Sequence, residues 1–223
     1  MKVHGYSDIK VSLLRHTENP QEVIRYALAA TMKKDFRDKQ FKDLTKTLAF
    51  CIGANHTSPL EHVGYNFVIE GVSRSTQLQI VRHRMASYTA SSTHHENHQD
   101  YGACVADDLV GNLLVQKALD DSMDSYKRAI DSGVPFLEAR QLLPNALESN
   151  LFMTINARSL GNFLNLRTCA ANTPEISIVA EKMRGLVYPM FPELYSQWGL
   201  PDCQGGGCKQ GKMKCSTGYT RKI

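Results

Sequence analysis

The sequence predicts an α+β fold in which helices outnumber strands. Most segments repeat apolar residues at the spacing of a helix face and begin at a capping residue or a proline. Two segments, residues 65–71 and 151–157, are instead short apolar runs of strand length. The chain has 223 residues, of which 42% are apolar, so it can bury the core of one domain. We expect that domain to cover residues 1–200, followed by a tail of residues 201–223.

The first half of the chain predicts helices separated by one strand. Asn19-Pro20 opens a helix over residues 20–34, with Pro20 at its first position. Ser58 and Glu61 form a capping-box pattern, so a helix should follow an irregular segment that presents His56. After the strand at 65–71, residues 73–84 predict a helix capped by Ser73. Residues 85–107 show no clear period and are expected to form a loop.

The second half contains the longest helical pattern, over residues 107–133, which ends at a glycine suited to a helix C-terminus. A shorter helix over 135–143 stops before Pro144. The second strand, at 151–157, leads into a helix over 159–168. A last helix covers 174–191, with Thr173 as its cap.

Charge and cysteine are both concentrated in the tail. The net charge is +4, yet residues 203–223 hold five basic side chains and no acid, so the rest of the chain is close to −1. That distribution argues against a nucleic-acid-binding body. Cys203, Cys208 and Cys215 also lie in the tail, whereas Cys51, Cys104 and Cys169 are expected to be reduced core residues. Without a membrane-length apolar run or a signal-peptide pattern, we expect a cytoplasmic protein.

The first candidate site is Arg82-His83-Arg84, which places three donors in a small volume. Such a cluster suits an anionic ligand such as a phosphate or a pyrophosphate. A solvated basic helix end is the alternative. Gln79 lies one helical turn before Arg82, so both should face the same side.

A second group of polar residues interrupts apolar segments further along the chain. Asn156, Arg158, Asn162 and Arg167 lie in a strand-to-helix unit, and Arg140 interrupts the apolar helix over 135–143. Buried polar groups need partners, so ordinary core packing does not explain them. They indicate either a ligand site or a structural salt-bridge network.

These same segments carry a family resemblance. Arg82-His83-Arg84, seven residues and then Ser92 resembles the signature of the flavin-dependent thymidylate synthases. NHTSPLEH, EARQLLP and NARSLGNFLNLR are similar to three further segments of that family, in the same order. Together the four segments cover roughly residues 20–195 and are highly specific.

The resemblance implies a helix-rich α+β catalytic domain around a mixed sheet, assembled as a homotetramer with shared active sites. It implies that FAD is the cofactor, with NADPH and methylenetetrahydrofolate as co-substrates, and that dUMP is methylated to dTMP. The implied cofactor-binding residues are His56, Ser58, Arg82, His83, Arg84, Asn156, Arg158 and Asn162. The implied substrate-binding residues are Gln79, Arg82, Ser92, His94, Arg140 and Arg167, with Arg167 as the catalytic residue at the pyrimidine.

The chemistry of the residues agrees with those roles. Adding carbon at C5 of uracil requires an electron-rich C5, and a guanidinium at the carbonyl edge stabilises the developing anion. FAD, the reductant and the folate supply hydride and carbon, so the protein contributes position and electrostatics.

The chain departs from the family pattern beside the nucleotide. Ala90 stands where the family has Glu, and His94 where it has Arg; NTPEI at 172–176 replaces Ala-Gln-Trp-Glu-Ile. These changes leave open a different pyrimidine nucleotide, such as dCMP or UMP, or a hydroxymethyl product. Because cytosine offers a donor amine where Arg167 would act, Arg167 favours uracil.

Two further possibilities involve metals or nucleic acid. His95 and Glu96 could ligate a metal, although a solvated polar loop also explains that segment. The spacing Cys203-x4-Cys208-x6-Cys215 resembles a zinc knuckle that lacks a fourth ligand, which His98 or another chain would have to supply. A non-enzymatic zinc- or nucleic-acid-binding tail is therefore an alternative function, and a flexible basic tail is the simpler explanation.

Overall fold

A computed structural model describes residues 1–31, 43–93, 101–204, 207–208 and 210–215. The chain divides into two compact units, each made of several segments. The first unit comprises Met1–Lys10, Val68–Arg82 and Tyr88–Phe152, and the second comprises Val11–Phe67, His83–Ser87 and Met153–Ile223.

In the described part of the chain, six strands form two sheets. They are β1 (Val3–Gly5), β2 (Lys10–His16), β3 (Gly64–Ser73), β4 (Ala86–Ala90), β5 (Ala103–Val105) and β6 (Glu148–Asn156). The larger sheet has the strand order β2-β3-β6-β4. In the first unit, β1 pairs with β5 in parallel, with His4 opposite Cys104.

Eight α-helices and several single 3-10 turns make up most of the remaining described structure. The helices are α1 (Pro20–Thr31), α2 (Leu44–Gly53), α3 (Arg74–Ile80), α4 (Leu113–Asp131), α5 (Phe136–Ala139), α6 (Ala157–Arg167), α7 (Pro174–Val187) and α8 (Pro192–Tyr195). The predicted α+β class is therefore confirmed.

Each unit has its own apolar core. In the first unit, Met123 and Tyr126 of α4 pack with Ala139 and Leu147. In the second unit the fully buried side chains include Ile24, Leu48, Phe67, Ile155 and Phe163. These residues come from α1, α2, β3, β6 and α6, so the helices that carry the candidate site are anchored by their apolar faces.

A buried arginine fixes the C-terminal helices of the second unit. Arg184 of α7 is only 3% exposed, and its two terminal nitrogens donate to the carbonyl oxygens of Tyr195 and Gly199, at 2.7 and 3.1 Å. Because a buried charge needs such partners, we assign Arg184 a structural role.

Several sequence predictions were wrong in detail. The helix expected over 73–84 ends at Ile80, although Ser73 does cap it. The loop expected over 85–107 contains β4 and β5. Residues 58–62 form a 3-10 turn whose cap position is Thr57, so the predicted capping box at Ser58 is absent.

Other predictions held. The helix from Pro20 and the strands at 65–71 and 151–157 are confirmed. The long helix before Gly133 is confirmed only from Leu113, because residues 107–109 form a 3-10 turn, and the helix from Pro174 ends at Val187 rather than at residue 191. Gly133 has a φ of +90°, as a glycine after a helix end often does. The boundary at residue 200 stays a prediction. Among the described residues, no helix is both long and apolar enough to cross a membrane.

Candidate active site

The end of α2 presents His56 to solvent. Asn55 adopts a left-handed conformation with a φ of +58°, and its N–H donates to the carbonyl of Ile52 at 3.1 Å. The N–H of His56 donates to the carbonyl of Cys51 at 2.7 Å. These two bonds form a Schellman motif, which ends the helix and turns the chain outward. His56 and Ser58 are both exposed, as ligand-binding side chains would need to be.

The start of α6 lies beside this segment in the second unit. Asn156 caps the helix, because its side-chain oxygen accepts from the N–H of Ser159 at 2.9 Å. The next residue, Ala157, donates its N–H to the carbonyl of Val63 at 2.7 Å. Asn156 therefore has a structural role as the cap of α6, in addition to the cofactor contact predicted for it.

Arg158 forms an ion pair with Glu61. One terminal nitrogen of the guanidinium lies against a carboxylate oxygen of Glu61, and both side chains are more than 40% exposed. Such a pair adds little stability, about 0–1 kcal/mol. It does hold Arg158 at the N-terminal end of α6.

His83 takes part in a short hydrogen-bond chain. Its Nε2 lies 2.7 Å from the hydroxyl of Ser159, and that hydroxyl donates to the carbonyl of Met85 at 2.6 Å. Since a serine hydroxyl has one proton, Ser159 must accept from His83. Nε2 of His83 therefore carries a hydrogen, and the ring is fixed in one orientation.

The surroundings of His83 favour its neutral form. Burial lowers the pKa of His83 below its ordinary value of 6.5, and the positive charge of Arg167 lowers it further, whereas a backbone hydrogen bond at Ser159 acts in the opposite direction. The edge of the ring also packs against Phe163, with centroids 5.5 Å apart and planes at 82°. His83 is consequently a neutral donor at physiological pH rather than a third cation beside Arg82 and Arg84.

Arg167 occupies the last turn of α6. Its carbonyl accepts from the hydroxyl of Ser177 in α7 at 2.9 Å, which ties the helix end to its neighbour. The partly buried Arg167 also lines a cavity of about 390 Å³ in the second unit. A cation at a helix C-terminus is favoured by the helix dipole.

The second unit thus brings together most of the predicted cofactor residues. His56, Ser58, His83, Asn156 and Arg158 lie on elements joined by the contacts above, and Arg84 and Asn162 are exposed on two of those elements. A helix N-terminus with nearby arginines is suited to an anionic group such as a pyrophosphate.

The first unit holds most of the predicted nucleotide residues. Gln79 lies in α3, and the side chain of Gln77 in that helix donates to the carbonyl of Ser91 at 3.4 Å. The hydroxyl of Tyr88 in β4 donates to the carbonyl of Ile80 at 3.1 Å. The end of α3 is thereby tied to the segment that leads to the exposed Ser92.

The remaining predicted nucleotide residues are less constrained. Arg82 is exposed just beyond α3, and Arg140 is exposed where α5 passes into a 3-10 turn. Ala90 ends β4. His94, with His95, Glu96 and His98, lies outside the described residues.

Two residues of the site were not predicted from the sequence. Glu61 was interpreted as half of a capping box, and Ser159 as part of an ordinary helix. A signal for Ser159 exists in the motif Asn156-Ala157-Arg158-Ser159, because a buried serine in the first turn of a helix needs a partner for its hydroxyl.

Comparisons with known proteins place the chain in a family. Residues 12–193 match the family model described as thymidylate synthase complementing protein. Two similar relatives are named flavin-dependent thymidylate synthase. The one from Geobacter sulfurreducens is 34% identical over 93% of this chain and 94% of its own, and the one from Clostridium tetani is 32% identical over 93% of each.

Solved structures agree on the fold. The UMP/dUMP methylase PolB from Streptomyces cacaoi, bound with 5-Br dUMP, aligns with a TM-score of 0.74 and 23% identity, over 88% of this chain and 96% of its own. The similarity to these relatives shows an enzyme of the methyltransferase class. The chain belongs to the flavin-dependent thymidylate synthase family.

Proposed function

We propose that the chain methylates dUMP to dTMP, with FAD as its cofactor, methylenetetrahydrofolate as carbon donor and NADPH as reductant. The observation that carries this proposal is the ordered His83–Ser159–Met85 chain within the Arg-His-Arg signature, next to the start of α6. An ordered hydrogen-bond chain of this kind is expected in a segment that binds a ligand, and is not expected at a solvated basic helix end.

A flavin dinucleotide is the cofactor that we assign to the predicted donor residues, most of which lie in the second unit. We assign its binding to His56, Ser58, Arg82, His83, Arg84, Asn156, Arg158 and Asn162. The arginines and the N-terminal end of α6 would balance the pyrophosphate charge, and the neutral His83 would keep its Nε2 hydrogen bound to Ser159. When bound and reduced, the flavin supplies hydride.

Arg167 is the residue to which we assign catalysis. Its guanidinium would lie against the carbonyl edge of the pyrimidine and stabilise negative charge there while C5 acts as a nucleophile. The partly buried position of Arg167 strengthens that interaction relative to water. Arginine stays charged throughout, so no proton has to be returned to it.

We assign the nucleotide to Gln79, Arg82, Ser92, His94, Arg140 and Arg167. Ala90 and His94 alter the charge beside it, which makes UMP a second candidate substrate. A relative in fold, PolB, carries the name UMP/dUMP methylase, which supports testing both. As in the family, we propose a homotetramer with shared active sites, which light scattering of the purified protein would test.

The test is a direct assay of the purified protein. Its visible spectrum is recorded for bound flavin, and it is then incubated anaerobically with FAD, NADPH and methylenetetrahydrofolate plus dUMP, UMP or dCMP. Mass spectrometry should show a methyl-sized gain on dUMP. A product only from another nucleotide, or one heavier by a hydroxymethyl group, would contradict the proposed reaction.

Arg167→Gln separates catalysis from binding. We expect it to lower turnover by about 100-fold or more, since one electrostatic contact to a developing anion contributes about 3 kcal/mol, while bound flavin stays near the wild-type amount. The matched control is Arg128→Gln, an exposed arginine of α4, which should leave both unchanged. Full turnover in Arg167→Gln would remove Arg167 from the catalytic role.

A further inference from the structure

Four of the six cysteines line one cavity of the second unit. The wall of this cavity of about 390 Å³ includes Cys169, just after α6, and Cys203, Cys208 and Cys215 from the tail. All four are free thiols. Cys169 thus adds a fourth thiol to the cavity that the three tail cysteines line, and it is partly exposed rather than the core residue that the sequence predicted.

Within its described part, the tail has little structure that would keep it in place. Its described part contains only two 3-10 turns, Asp202–Gln204 and Gly211–Met213, and after Pro201 it has no described buried side chain. A segment that buries so little apolar surface needs a cross-link to stay ordered. Its start is attached to α6, because the amide of Asn165 donates to the carbonyl of Leu200 and, at 3.2 Å, to the carboxylate of Asp202.

We propose that Cys169, Cys203, Cys208 and Cys215 bind one zinc ion that clamps the tail to the C-terminal end of α6. Four thiolates are a ligand set of the structural zinc sites, and soft sulfur ligands select such metals. Zinc with four thiolates has a net charge of about −2. The acid-free tail, with Lys209, Lys212 and Lys214 between and beside the cysteines, offsets that charge.

The thiols line the cavity wall rather than meeting at one point. Within the described ranges, no three His, Cys, Asp or Glu side chains are already gathered as a metal site. Binding therefore requires the tail to close on the ion. Closure couples metal affinity to the order of the tail, as in other small zinc modules.

The clamp has a consequence for Arg167, which lies two residues before Cys169 and lines the same cavity. A metal at this point would fix the helix end that carries Arg167. This consequence rests on the proposed function, whereas the metal site itself does not. Losing zinc should lower kcat with little change in bound flavin.

The test is the metal content of the full-length protein, purified without chelator from zinc-supplemented cells. Elemental analysis should give about one zinc per chain, and X-ray absorption should show four sulfur neighbours at about 2.3 Å. After exchange with Co²⁺, the protein should show the sulfur-to-cobalt charge-transfer band and the intense visible bands of a tetrahedral site.

Single Cys→Ser variants at 169, 203, 208 and 215 should each lose most of the zinc. Cys203 is exposed, so its replacement leaves the packing intact, and a melting curve checks that. The control is Cys51→Ala, a buried cysteine of α2, which should keep the metal. The proposed site is overturned if the protein contains no zinc and does not bind Co²⁺, or if all four variants retain full zinc. This holds even if thymidylate synthesis is confirmed.

Discussion

At the scale of single residues, Ser159 connects the signature segment to α6. Its hydroxyl accepts from His83 and donates to the carbonyl of Met85, and the residue is 3% exposed. Ser159→Ala leaves the carbonyl of Met85 without this donor and the ring N–H of His83 without its acceptor, at a partly buried position. We expect a loss of about 1–3 kcal/mol in the free energy of unfolding, measured by urea denaturation, together with weaker flavin binding.

The control for that change is Ser75→Ala in α3, an exposed serine, which should alter stability by less than about 0.5 kcal/mol. Equal effects of the two substitutions would mean that the hydrogen-bond chain contributes nothing to the folded state.

His83 should make stability depend on pH. Its pKa is lowered in the folded protein, so below the ordinary value of 6.5 the unfolded chain binds a proton that the folded chain does not. The free energy of unfolding should therefore fall as pH drops from above 6.5 towards the lower folded pKa. His83→Gln removes this titration, so its stability should change less between pH 7.5 and pH 5.5. If the free energy of unfolding depends on pH equally in the wild-type protein and in His83→Gln, then His83 is protonated as freely in the folded chain as in the unfolded chain.

Most residues of the candidate site were proposed from the resemblance of four segments to the family, and polar side chains in apolar segments pointed independently to some of them; their roles stay predictions. The sequence could not show what each one contacts. Asn156 serves as a cap and Arg158 pairs with Glu61, and both partners are set by where α6 begins. Cys169 lines the same cavity as the tail cysteines only in the folded chain, since more than thirty residues separate it from Cys203.

At the scale of elements, α6 is held by a close contact with Trp198. The indole N–H donates to the carbonyl of Ala157 at 3.1 Å, and the ring lies over Gly161, where a Cβ atom would meet Trp198 Nε1 at 1.7 Å. Gly161→Ala must displace the ring and break that hydrogen bond. We expect a net destabilisation of about 1–3 kcal/mol by thermal or urea denaturation, after the gain in helix propensity.

Gly185→Ala in α7 is the matched control, because nothing lies within 4 Å of a Cβ atom at that position. That helical glycine is exposed, so the substitution should stabilise the protein by about 0.5–1 kcal/mol. Opposite signs for the two substitutions would establish the Trp198 contact, and stabilisation by both would refute it.

Elements with a strong local signal were the ones that could be predicted. The helices α1, α4 and α7 have caps, prolines or long periodic faces, and β3 is a nearly continuous apolar run. By contrast, β1 and β5 are three residues each and exist only because they pair across about a hundred residues of sequence. Such pairing depends on the tertiary fold and leaves little trace in a window of neighbouring residues.

At the scale of the whole molecule, chemistry and charge are divided along the chain. The residues assigned to the flavin lie mainly in the second unit, those assigned to the nucleotide mainly in the first, and the excess positive charge lies in the tail. A nearly neutral body suits an enzyme for small anionic ligands, since specific arginines rather than a general basic surface then select them. Arg167 matches the family pattern, whereas positions 90 and 94 depart from it, so we expect the base to be selected more strictly than the rest of the nucleotide.

Selection of the base can be measured as the ratio of kcat/KM for dUMP to that for dCMP. Arg167 offers only donors, and cytosine presents a donor amine at C4, so the wrong base would leave two donors facing each other at a cost of about 1–3 kcal/mol. The expected ratio is about 10- to 100-fold in favour of dUMP. Arg167→Gln should lower kcat/KM for both nucleotides. It should also bring the ratio of the two kcat/KM values closer to one, because glutamine carries an acceptor as well as a donor. Arg128→Gln should keep the wild-type ratio. If the ratio survives in Arg167→Gln, the base is selected by other residues, and Arg167 serves catalysis alone.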